Sequence, residues 1–192
     1  MRKKRIAIFA SGSGTNAERI MSHFADHETG EVSIVLSNKP DAQVLERAAW
    51  FNVKTHVFDR ETFKNTAEIP ELLVSLGIDL IVLAGFLWLI PDGLIRKFPD
   101  RIINIHPALL PKYGGKGMYG SYVHESVIAN GEVESGISIH YVNEVYDDGK
   151  IILQARCPVE PGDTAEILAQ RIHKLEYQHY PFVVEKLLEE LK

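Results

Sequence analysis

The sequence contains a single cysteine, Cys157, among its 192 residues. One cysteine cannot form an intrachain disulfide, and it excludes a structural zinc site that is built from several thiolates. A free thiol is typical of a chain that works in a reducing compartment, so we expect a cytoplasmic location.

Long apolar runs and an excess of positive charge are missing as well. The basic residues 2–5 are followed by an apolar run at 6–10, which is too short for a signal sequence or a membrane span. The formal net charge is −5, so the chain has no basic excess with which to neutralise nucleic-acid phosphates. We therefore expect neither a membrane nor a nucleic acid as a partner. A small phosphorylated substrate is still compatible with a net negative charge, because binding it needs only local hydrogen-bond donors.

The sequence does contain a regular alternation of short apolar strands with helical patterns. Buried strands are predicted at 6–10, 32–36, 79–84 and 102–106, with a more exposed one at 54–58. Helices are predicted at 17–24, 41–51, 61–76 with an interruption at Pro70, 91–97 and 121–129. Such alternation predicts an α/β fold of three layers, in which helices cover both faces of a doubly wound, mostly parallel sheet.

The pattern changes after residue 130. Two strands, 137–142 and 151–156, are joined by an acidic turn at 147–149, and this spacing predicts an antiparallel hairpin added to the parallel sheet. A long amphipathic helix, 164–191, closes the chain and contains Pro181, which predicts a kink. Because there is no internal repeat or linker, residues 1–192 are expected to form one domain.

Residues 11–16, with the sequence SGSGTN, follow the first strand where a doubly wound sheet feeds its first helix. Glycines let the backbone approach a ligand, and free N–H groups at the start of a helix attract an anion, so a phosphate is the predicted guest. Two alternatives stay open. Gly12, Gly14 and Ala17 also satisfy a loose dinucleotide fingerprint, although Asn38 stands where an acidic residue would contact the ribose. The other alternative is a tight turn without a ligand.

Asn104 and His106 alternate through the end of the strand 102–106, so both side chains point to the same face of the sheet. An amide beside an imidazole suits acyl-group chemistry, in which a tetrahedral intermediate needs donors for its oxyanion and a route for a proton. An imidazole is mostly neutral at pH 7, and Asp147 in the turn 147–149 is the best source of a carboxylate that would keep His106 charged. The alternative is a structural histidine and a plain acidic turn.

Eight histidines raise the question of a metal site. His106, His124 and His140 lack a ligand spacing such as H-x-x-x-H, and the single cysteine cannot complete a structural zinc site. We therefore expect no metal.

Five segments stand out along the chain: residues 11–16 (SGSGTN), 84–86 (AGF), 104–113 (NIHPALLPKY), 138–140 (SIH) and 147–155 (DDGKIILQA). Together they resemble the folate-dependent formyltransferases over nearly the whole chain. Within that family the motifs are most similar to the members that act on glycinamide ribonucleotide. The resemblance implies a Rossmann-like formyltransferase fold and transfer of the formyl group of 10-formyltetrahydrofolate to the amine of glycinamide ribonucleotide, in purine biosynthesis. It implies a reduced folate as co-substrate and no metal.

The resemblance also implies roles for single residues. Asn104 and His106 would hold and protonate the oxyanion, while Asp147 would raise the pKa of His106 and help relay a proton through water. His140 would support them. The residues implied for the ribonucleotide are Gly14, Thr15, Asn16, Arg60, His173 and Glu176. Those implied for the folate are Leu87, Trp88, Leu89, Ile90, Asn104, Asn143, Glu144, Val145, Tyr146 and Asp147. Residues 1–100 would thus form the half that binds the ribonucleotide phosphate, and 101–192 the catalytic and folate-binding half.

The sequence departs from the family pattern at two places. Trp88 stands where many relatives have arginine, so its contribution to folate binding is open. The glycine-rich loop 113–120 is longer than usual and lacks a histidine that is often found there. Sequence alone assigns no role to His124, which follows this loop.

Three rival functions compete with the implied one. A methionyl-tRNA formyltransferase would need a tRNA-binding extension and a basic surface, and a formyltetrahydrofolate deformylase usually carries an N-terminal regulatory domain; we expect neither here. A non-catalytic nucleotide-sensing module would not need Asn104, His106 and Asp147 together. The sequence leaves open whether the chain forms a homodimer.

Overall fold

Strands and helices alternate along residues 2–191, the part of the chain that this computed structural model describes. The strands are β1 (Lys4–Phe9), β2 (Gly30–Ser37), β3 (Lys54–Val57), β4 (Leu80–Leu83), β5 (Ile102–His106), β6 (Glu134–Tyr141) and β7 (Ile151–Pro158). The helices are α1 (Thr15–Phe24), α2 (Gln43–Trp50), α3 (Arg60–Asn65), α4 (Glu68–Ser75), α5 (Asp92–Lys97), α6 (Ser121–Ala129) and α7 (Ala165–Glu190). The first and last residues of the predicted domain 1–192 lie outside the described part.

The strands within residues 2–191 form one sheet in the order β3-β2-β1-β4-β5-β6-β7. Neighbouring strands from β3 to β5 are parallel, whereas β6 is antiparallel to both β5 and β7. The chain therefore starts in the middle of the sheet, winds outward to β3, and returns past β1 to β4 and β5. This topology confirms the predicted doubly wound sheet with its C-terminal antiparallel hairpin.

Two apolar cores fill the space between the sheet and its helices. In β1 the side chains of Ile6 and Ile8 enter one core, while those of Ala7 and Phe9 enter the other, and all are fully buried. The first core lies beneath α1, α2, α6 and α7, and the second beneath α3, α4 and α5. Each fully buried isoleucine or phenylalanine contributes roughly 1.5–3 kcal/mol. The predicted three layers follow from this burial on both faces.

The helical region predicted at 61–76 is two helices, and the break between them lies before Pro70. Asp59 caps α3 by accepting a hydrogen bond from the N–H of Thr62 at 2.8 Å, and extended backbone at Thr66 ends that helix. Pro70 lies in the first turn of α4, where the missing N–H would have had no partner in the helix. The predicted interruption at Pro70 is therefore wrong by a few residues.

The hairpin strands are longer than the predicted 137–142 and 151–156. Gly136 allows the extension of β6, because a Cβ at that position would lie 2.1 Å from the carbonyl oxygen of Ala155 on β7. The long helix α7 is continuous through Pro181. The described residues include no helix that is both long enough and apolar enough to cross a membrane.

Candidate active site

The predicted site residues converge at the carboxyl ends of β1, β4 and β5, where a doubly wound sheet places its ligand crevice. A cavity of about 720 Å³ opens there. The glycine turn after β1 lines one side, and residues 87–90 after β4 line another. Asn104 and His106 from the end of β5 lie in its wall. A cavity of this size accommodates a drug-sized ligand.

Strand pairing holds Asn104 in place. It is directly opposite His140 in the antiparallel pair of β5 and β6. The Nδ1 of His140 lies 2.8 Å from the carbonyl oxygen of Tyr141, so Nδ1 carries a proton and Nε2 is left as an acceptor. Nδ2 of Asn104 donates to this Nε2 at 3.2 Å. Its second hydrogen makes only a long contact, 3.4 Å, with Oδ1 of Asp147, and is the one free to turn toward a substrate oxygen.

Asp147 reaches the strand end from a turn that follows β6, as the sequence suggested. Its backbone is left-handed, with φ of 54°, and its side chain is mostly buried. Gly149 allows the turn to fold back, because a Cβ at that position would lie 1.7 Å from the carbonyl oxygen of Tyr141. Oδ2 of Asp147 accepts a hydrogen bond from the N–H of Gly115 at 2.9 Å and lies 3.5 Å from Nδ1 of His106. The carboxylate thus links the loop 113–120 to the end of β5.

His106 is buried between two oxygen atoms. Its Nε2 donates to the carbonyl oxygen of Tyr113 at 2.7 Å, and its Nδ1 faces Asp147. Burial lowers the pKa of His106, and this effect outweighs the opposite effects of Asp147 and the Tyr113 carbonyl; nearby His140 lowers the pKa further. The carboxylate therefore acts in the expected direction without raising the pKa above its ordinary value. The expectation that Asp147 keeps His106 charged is corrected on this point, because burial of the ring penalises the charged form.

Asp147 itself stays ionised. Burial alone would raise the pKa of Asp147, but the nearby imidazoles of His140 and His106 and the N–H of Gly115 together hold the pKa below its usual value. A fixed negative charge thus faces an imidazole that is neutral at pH 7. This pair stabilises a proton that arrives on His106 during a reaction.

Ser138 fixes the chain that follows His106, a role that sequence reasoning missed. Its buried hydroxyl donates to the carbonyl oxygen of Ala108 at 2.7 Å and accepts from the N–H of Leu110 at 2.9 Å. Gln154 on β7 donates to the carbonyl oxygen of Leu110 at 3.0 Å. A serine between two buried isoleucines was the signal available, because a buried hydroxyl needs partners.

The glycine turn 11–16 begins α1 as predicted. Gly14 is the N-terminal flanking residue of α1, and its φ of 74° is left-handed. Within the described residues no side chain caps this helix start. Thr15 and Asn16 line the cavity directly after the turn. Free N–H groups at a helix start favour an anion, so the turn retains the geometry expected for a phosphate.

Glu176 joins this turn from α7. It is buried, and its Oε2 accepts a hydrogen bond from Nδ2 of Asn16 at 2.9 Å. Burial raises the pKa of Glu176 to about 7, although the Asn16 amide opposes the shift. Tyr180, one turn further along α7, donates its hydroxyl to the carbonyl oxygen of Leu83 at 2.9 Å and so anchors the helix under β4. The turn, the helix and the strand end are thereby held as one unit.

Residues 87–90 form the opposite wall. The N–H of Leu87 donates to the hydroxyl of Ser11 at 3.2 Å, which ties this wall to the glycine turn. Ile90 is buried, whereas Leu87 is exposed toward the opening. Trp88 packs against Phe58, Phe63 and Phe86, with ring centroids 5.9–6.2 Å apart. The wall is therefore an apolar surface that suits a flat organic ring.

Comparison with known proteins agrees with this geometry. The formyl transferase family matches residues 4–184. The chain belongs to the formyl transferase family.

Two curated relatives and one solved structure illustrate the similarity to this formyl transferase family. The phosphoribosylglycinamide formyltransferase of Bacillus subtilis is 36% identical, over 96% of this chain and 95% of the relative. The chloroplastic enzyme of that name from Arabidopsis thaliana is 40% identical, over 98% of this chain and 67% of the relative. The crystal structure of phosphoribosylglycinamide formyltransferase from Bacillus halodurans has a TM-score of 0.87 and 37% identity, and the match covers 98% of this chain and 97% of that one. The Rossmann-like fold expected of a formyl transferase is therefore present.

The cavity brings together most of the site residues implied by the formyl transferase resemblance. Those in its wall are Gly14, Thr15, Asn16, Leu87, Trp88, Leu89, Ile90, Asn104, His106, His140, Asn143, Val145, Tyr146, Asp147, His173 and Glu176. Glu144 and Arg60 do not line it. Glu144 is exposed, and the guanidinium of Arg60 lies over the ring of Trp88 at 5.1 Å from its centroid. Arg60 therefore contacts Trp88 in the cavity wall but does not line the cavity itself.

His124 lines the same cavity, although the sequence alone assigned it no role. It is buried on α6, and its Nδ1 has no hydrogen-bond partner among residues 2–191. Burial, together with the charges of His173 and His106, lowers the pKa of His124 to about 4, so the ring is neutral at pH 7. Its position could not be read from periodicity, because the inward face of α6 is set by docking of the helix.

Gly14→Ala is expected to lower the free energy of unfolding by about 2 kcal/mol or more. A left-handed residue with a Cβ costs roughly 1–2 kcal/mol, and here the Cβ would also overlap Cγ2 of Val44 at 2.4 Å. The matched control is Gly12→Ala, whose Cβ would meet no atom within 4 Å. Urea unfolding of both variants measures the difference. Equal stability of the two variants would show that the turn adapts without cost.

Glu176→Gln is expected to remove a pH dependence of stability. The pKa of about 7 in the folded chain lies above the ordinary value of 4.5, so between these values the folded chain holds a proton that the unfolded chain has released. The unfolding free energy therefore falls as pH rises through this interval, by about 3 kcal/mol, and is level above it. Urea unfolding of the wild type and Glu176→Gln across the interval isolates this contribution. Parallel curves for the two proteins would contradict the burial argument.

Proposed function

We propose that the chain transfers the formyl group of 10-formyltetrahydrofolate to the amine of glycinamide ribonucleotide, giving formylglycinamide ribonucleotide and tetrahydrofolate. The observation that carries this proposal is the meeting of Asn104, His106 and Asp147 between the glycine turn at the start of α1 and an apolar wall. Family membership and the relatives' names support the same reaction.

In the proposed mechanism the amine of the ribonucleotide attacks the formyl carbon. A new C–N bond forms, and the carbonyl oxygen becomes an oxyanion. The free amide hydrogen of Asn104 and the Nε2–H of His106 donate to that oxygen; for this, Nε2 exchanges the carbonyl of Tyr113 for the substrate. Donors that are held in place for a developing oxyanion are worth roughly 10²–10³ in rate each.

Collapse of the intermediate breaks the bond between the formyl carbon and N10 of the folate. The attacking amine loses one proton, and N10 gains one. We assign His106 and Asp147 to this exchange, with water completing the path, because Asp147 stabilises a positive imidazole at 3.5 Å. His140 supports them by orienting the amide of Asn104.

The two substrates would enter the cavity from different walls. The phosphate of the ribonucleotide binds at Gly14, Thr15 and Asn16, with Glu176 and His173 on the ribose side. The folate lies along residues 87–90 and the loop 143–147. The proposed ribonucleotide pocket therefore contains residues from both proposed halves, 1–100 and 101–192. Both halves contribute residues to one cavity.

The resemblance assigns Arg60 to the ribonucleotide, but its position over Trp88 leads us to propose that the two act together at the folate side. The indole lines the cavity and the guanidinium lies against its outer part. A positive charge over an aromatic ring attracts it by roughly 0.5–1 kcal/mol at an exposed site. In this chain the arginine would therefore act on a bound substrate only through the indole of Trp88.

The deciding experiment mixes the pure protein with 10-formyltetrahydrofolate and follows loss of the formyl group with and without glycinamide ribonucleotide. We expect turnover only when the ribonucleotide is present. Turnover that ignores the ribonucleotide would indicate a formyltetrahydrofolate deformylase, and no turnover in either mixture would favour a nucleotide-sensing module.

A cytoplasmic location and a homodimer are the remaining proposals. The buried thiol of Cys157 supports a reducing compartment, and the cytoplasm is one such compartment. The relatives from Arabidopsis thaliana and Vigna unguiculata are named as chloroplastic, so microscopy of a tagged chain in its own cell is the test of location.

Sedimentation equilibrium of the purified chain is the test of the proposed homodimer, because it distinguishes a homodimer from a monomer.

A further inference from the structure

A cluster of two imidazoles and one carboxylate lies outside the active site. His23 is in the last turn of α1, His27 follows that helix by three residues, and Glu185 extends from α7. Nε2 of His23 lies 2.7 Å from Oε2 of Glu185, and Nε2 of His27 lies 3.1 Å from Oε1. One ligand atom from each residue can be chosen so that all lie within 4.8 Å of one another. Within residues 2–191 this is the one group of three such side chains.

The spacing His23-x-x-x-His27 is a signal that sequence reasoning missed. Residues four apart lie on one face of a helix, so a pair of this kind presents two imidazoles to a common point. Here the chain leaves α1 between the two histidines, yet their rings still stack, with centroids 5.5 Å apart. The carboxylate comes from a separate helix, 158 residues away from His27 in sequence.

The rings of both histidines are oriented by neighbours that leave Nε2 pointing at the cluster. His23 packs edge-on against Phe24 and Phe182, with centroids 5.0 and 5.1 Å away. Nδ1 of His27 lies 3.1 Å from the hydroxyl of Thr29. The N–H of Thr29 also points at this Nδ1, with a long contact of 3.4 Å, so the metal-bound form requires Nδ1–H to donate to the hydroxyl instead. That tautomer leaves the Nε2 lone pair of His27 free for a metal, and a hydrogen bond of this kind commonly orients a ligating histidine.

The ligand set selects the class of ion. Two imidazole nitrogens and a carboxylate oxygen suit Zn²⁺ and its divalent neighbours in the first transition row, whereas Ca²⁺ and Mg²⁺ require mostly oxygen ligands. The three side chains are 20–26% exposed, so an ion can enter and water can complete its coordination. We propose that His23, His27 and Glu185 form a surface site for a divalent transition-metal ion, with Zn²⁺ as the representative ligand.

An ion at this site would join the end of α1 to α7. The same two helices meet at the active site, where Asn16 near the start of α1 donates to Glu176 on α7. The cluster would therefore fix the far ends of the helix pair that forms the ribonucleotide side of the cavity. It takes no part in formyl transfer itself, but the proposal departs from the expectation that the chain binds no metal.

The test is zinc titration of tag-free protein by isothermal calorimetry near neutral pH, with ZnCl₂ as the probe. We expect one ion per chain and a higher melting temperature when zinc is present, because binding to the folded chain stabilises it. His23→Ala and Glu185→Gln should each weaken binding at least roughly 10-fold, and Thr29→Val by about 10-fold, since it removes the oriented partner of His27.

Glu189→Gln is the matched control for Glu185→Gln, because Glu189 is an exposed carboxylate on the same helix. It should bind zinc as the wild type does. Melting curves without zinc show whether each variant is folded. Absence of zinc binding would overturn the proposal, and so would equal binding by the wild type and folded His23→Ala, which would place the ion elsewhere.

Discussion

Replacing His106 with alanine is expected to lower kcat for formyl transfer by about 10³-fold. The substitution removes the Nε2–H that would donate to the oxyanion and also the group that exchanges a proton beside Asp147. Both effects act on the transition state, so KM for each substrate should change much less than kcat. Steady-state kinetics with varied ribonucleotide and varied folate measures the two parameters separately.

The control for this variant is His179→Ala, which removes a histidine that does not line the cavity. It should retain the wild-type kcat. A His106→Ala protein whose ribonucleotide affinity falls as much as its turnover would show that the ring holds the pocket in shape. Calorimetric binding of the ribonucleotide alone separates these cases, because it reads the ground state without any reaction.

The fold could be predicted because its signals are local. Strands that are buried on both faces appear as short apolar runs, and their alternation with helices restricts the sheet to a doubly wound topology. The same alternation placed Asn104 and His106 on one face of β5, as the structure shows. Helix boundaries were less accurate. At residues 61–76 the cap at Asp59 and the extended backbone at Thr66 determine where α3 begins and ends. Pro70 is a competing helix-breaking signal in the same stretch of sequence, although it lies inside α4.

The contact between His106 and Asp147 could be suggested by the sequence but only the fold establishes it. It needs β6 to pair antiparallel with β5, a left-handed residue at Asp147, and a glycine at 149 that allows the turn to fold back. The glycine can be read from the local sequence, but the pairing of β6 with β5 and the left-handed backbone at Asp147 cannot. The net pKa shift of His106 depends on burial by the whole surrounding structure, so local sequence could predict only the sign of the carboxylate's own effect.

Asp147→Asn is expected to lower kcat by roughly 10²–10³-fold while the loop contact survives. An asparagine has the same shape, and its side-chain oxygen can still accept the hydrogen bond from Gly115 that Asp147 accepts at 2.9 Å. What is lost is the negative charge that faces His106. The matched control is Asp148→Asn, because that neighbouring carboxylate is exposed and does not line the cavity, and its kcat should stay within about twofold of the wild type.

The pH profile of Asp147→Asn gives a readout that a purely structural role would not change. The carboxylate of Asp147 raises the pKa of His106 against the stronger effect of burial. Removing the charge therefore lowers that pKa further, and the limb of kcat/KM that reports His106 should move to lower pH. A profile that keeps its wild-type limb at reduced height would show that the charge of Asp147 does not act through the imidazole.

The double variant His106→Ala with Asp147→Asn tests whether the two residues act as one unit. If Asp147 works by stabilising a proton on His106, its charge has nothing to act on once the ring is gone. The double variant should then be nearly as active as His106→Ala alone, because effects of residues that act together are far from additive. Fully multiplied losses would instead assign Asp147 a separate path to the substrate, through its contact with the amide of Asn104.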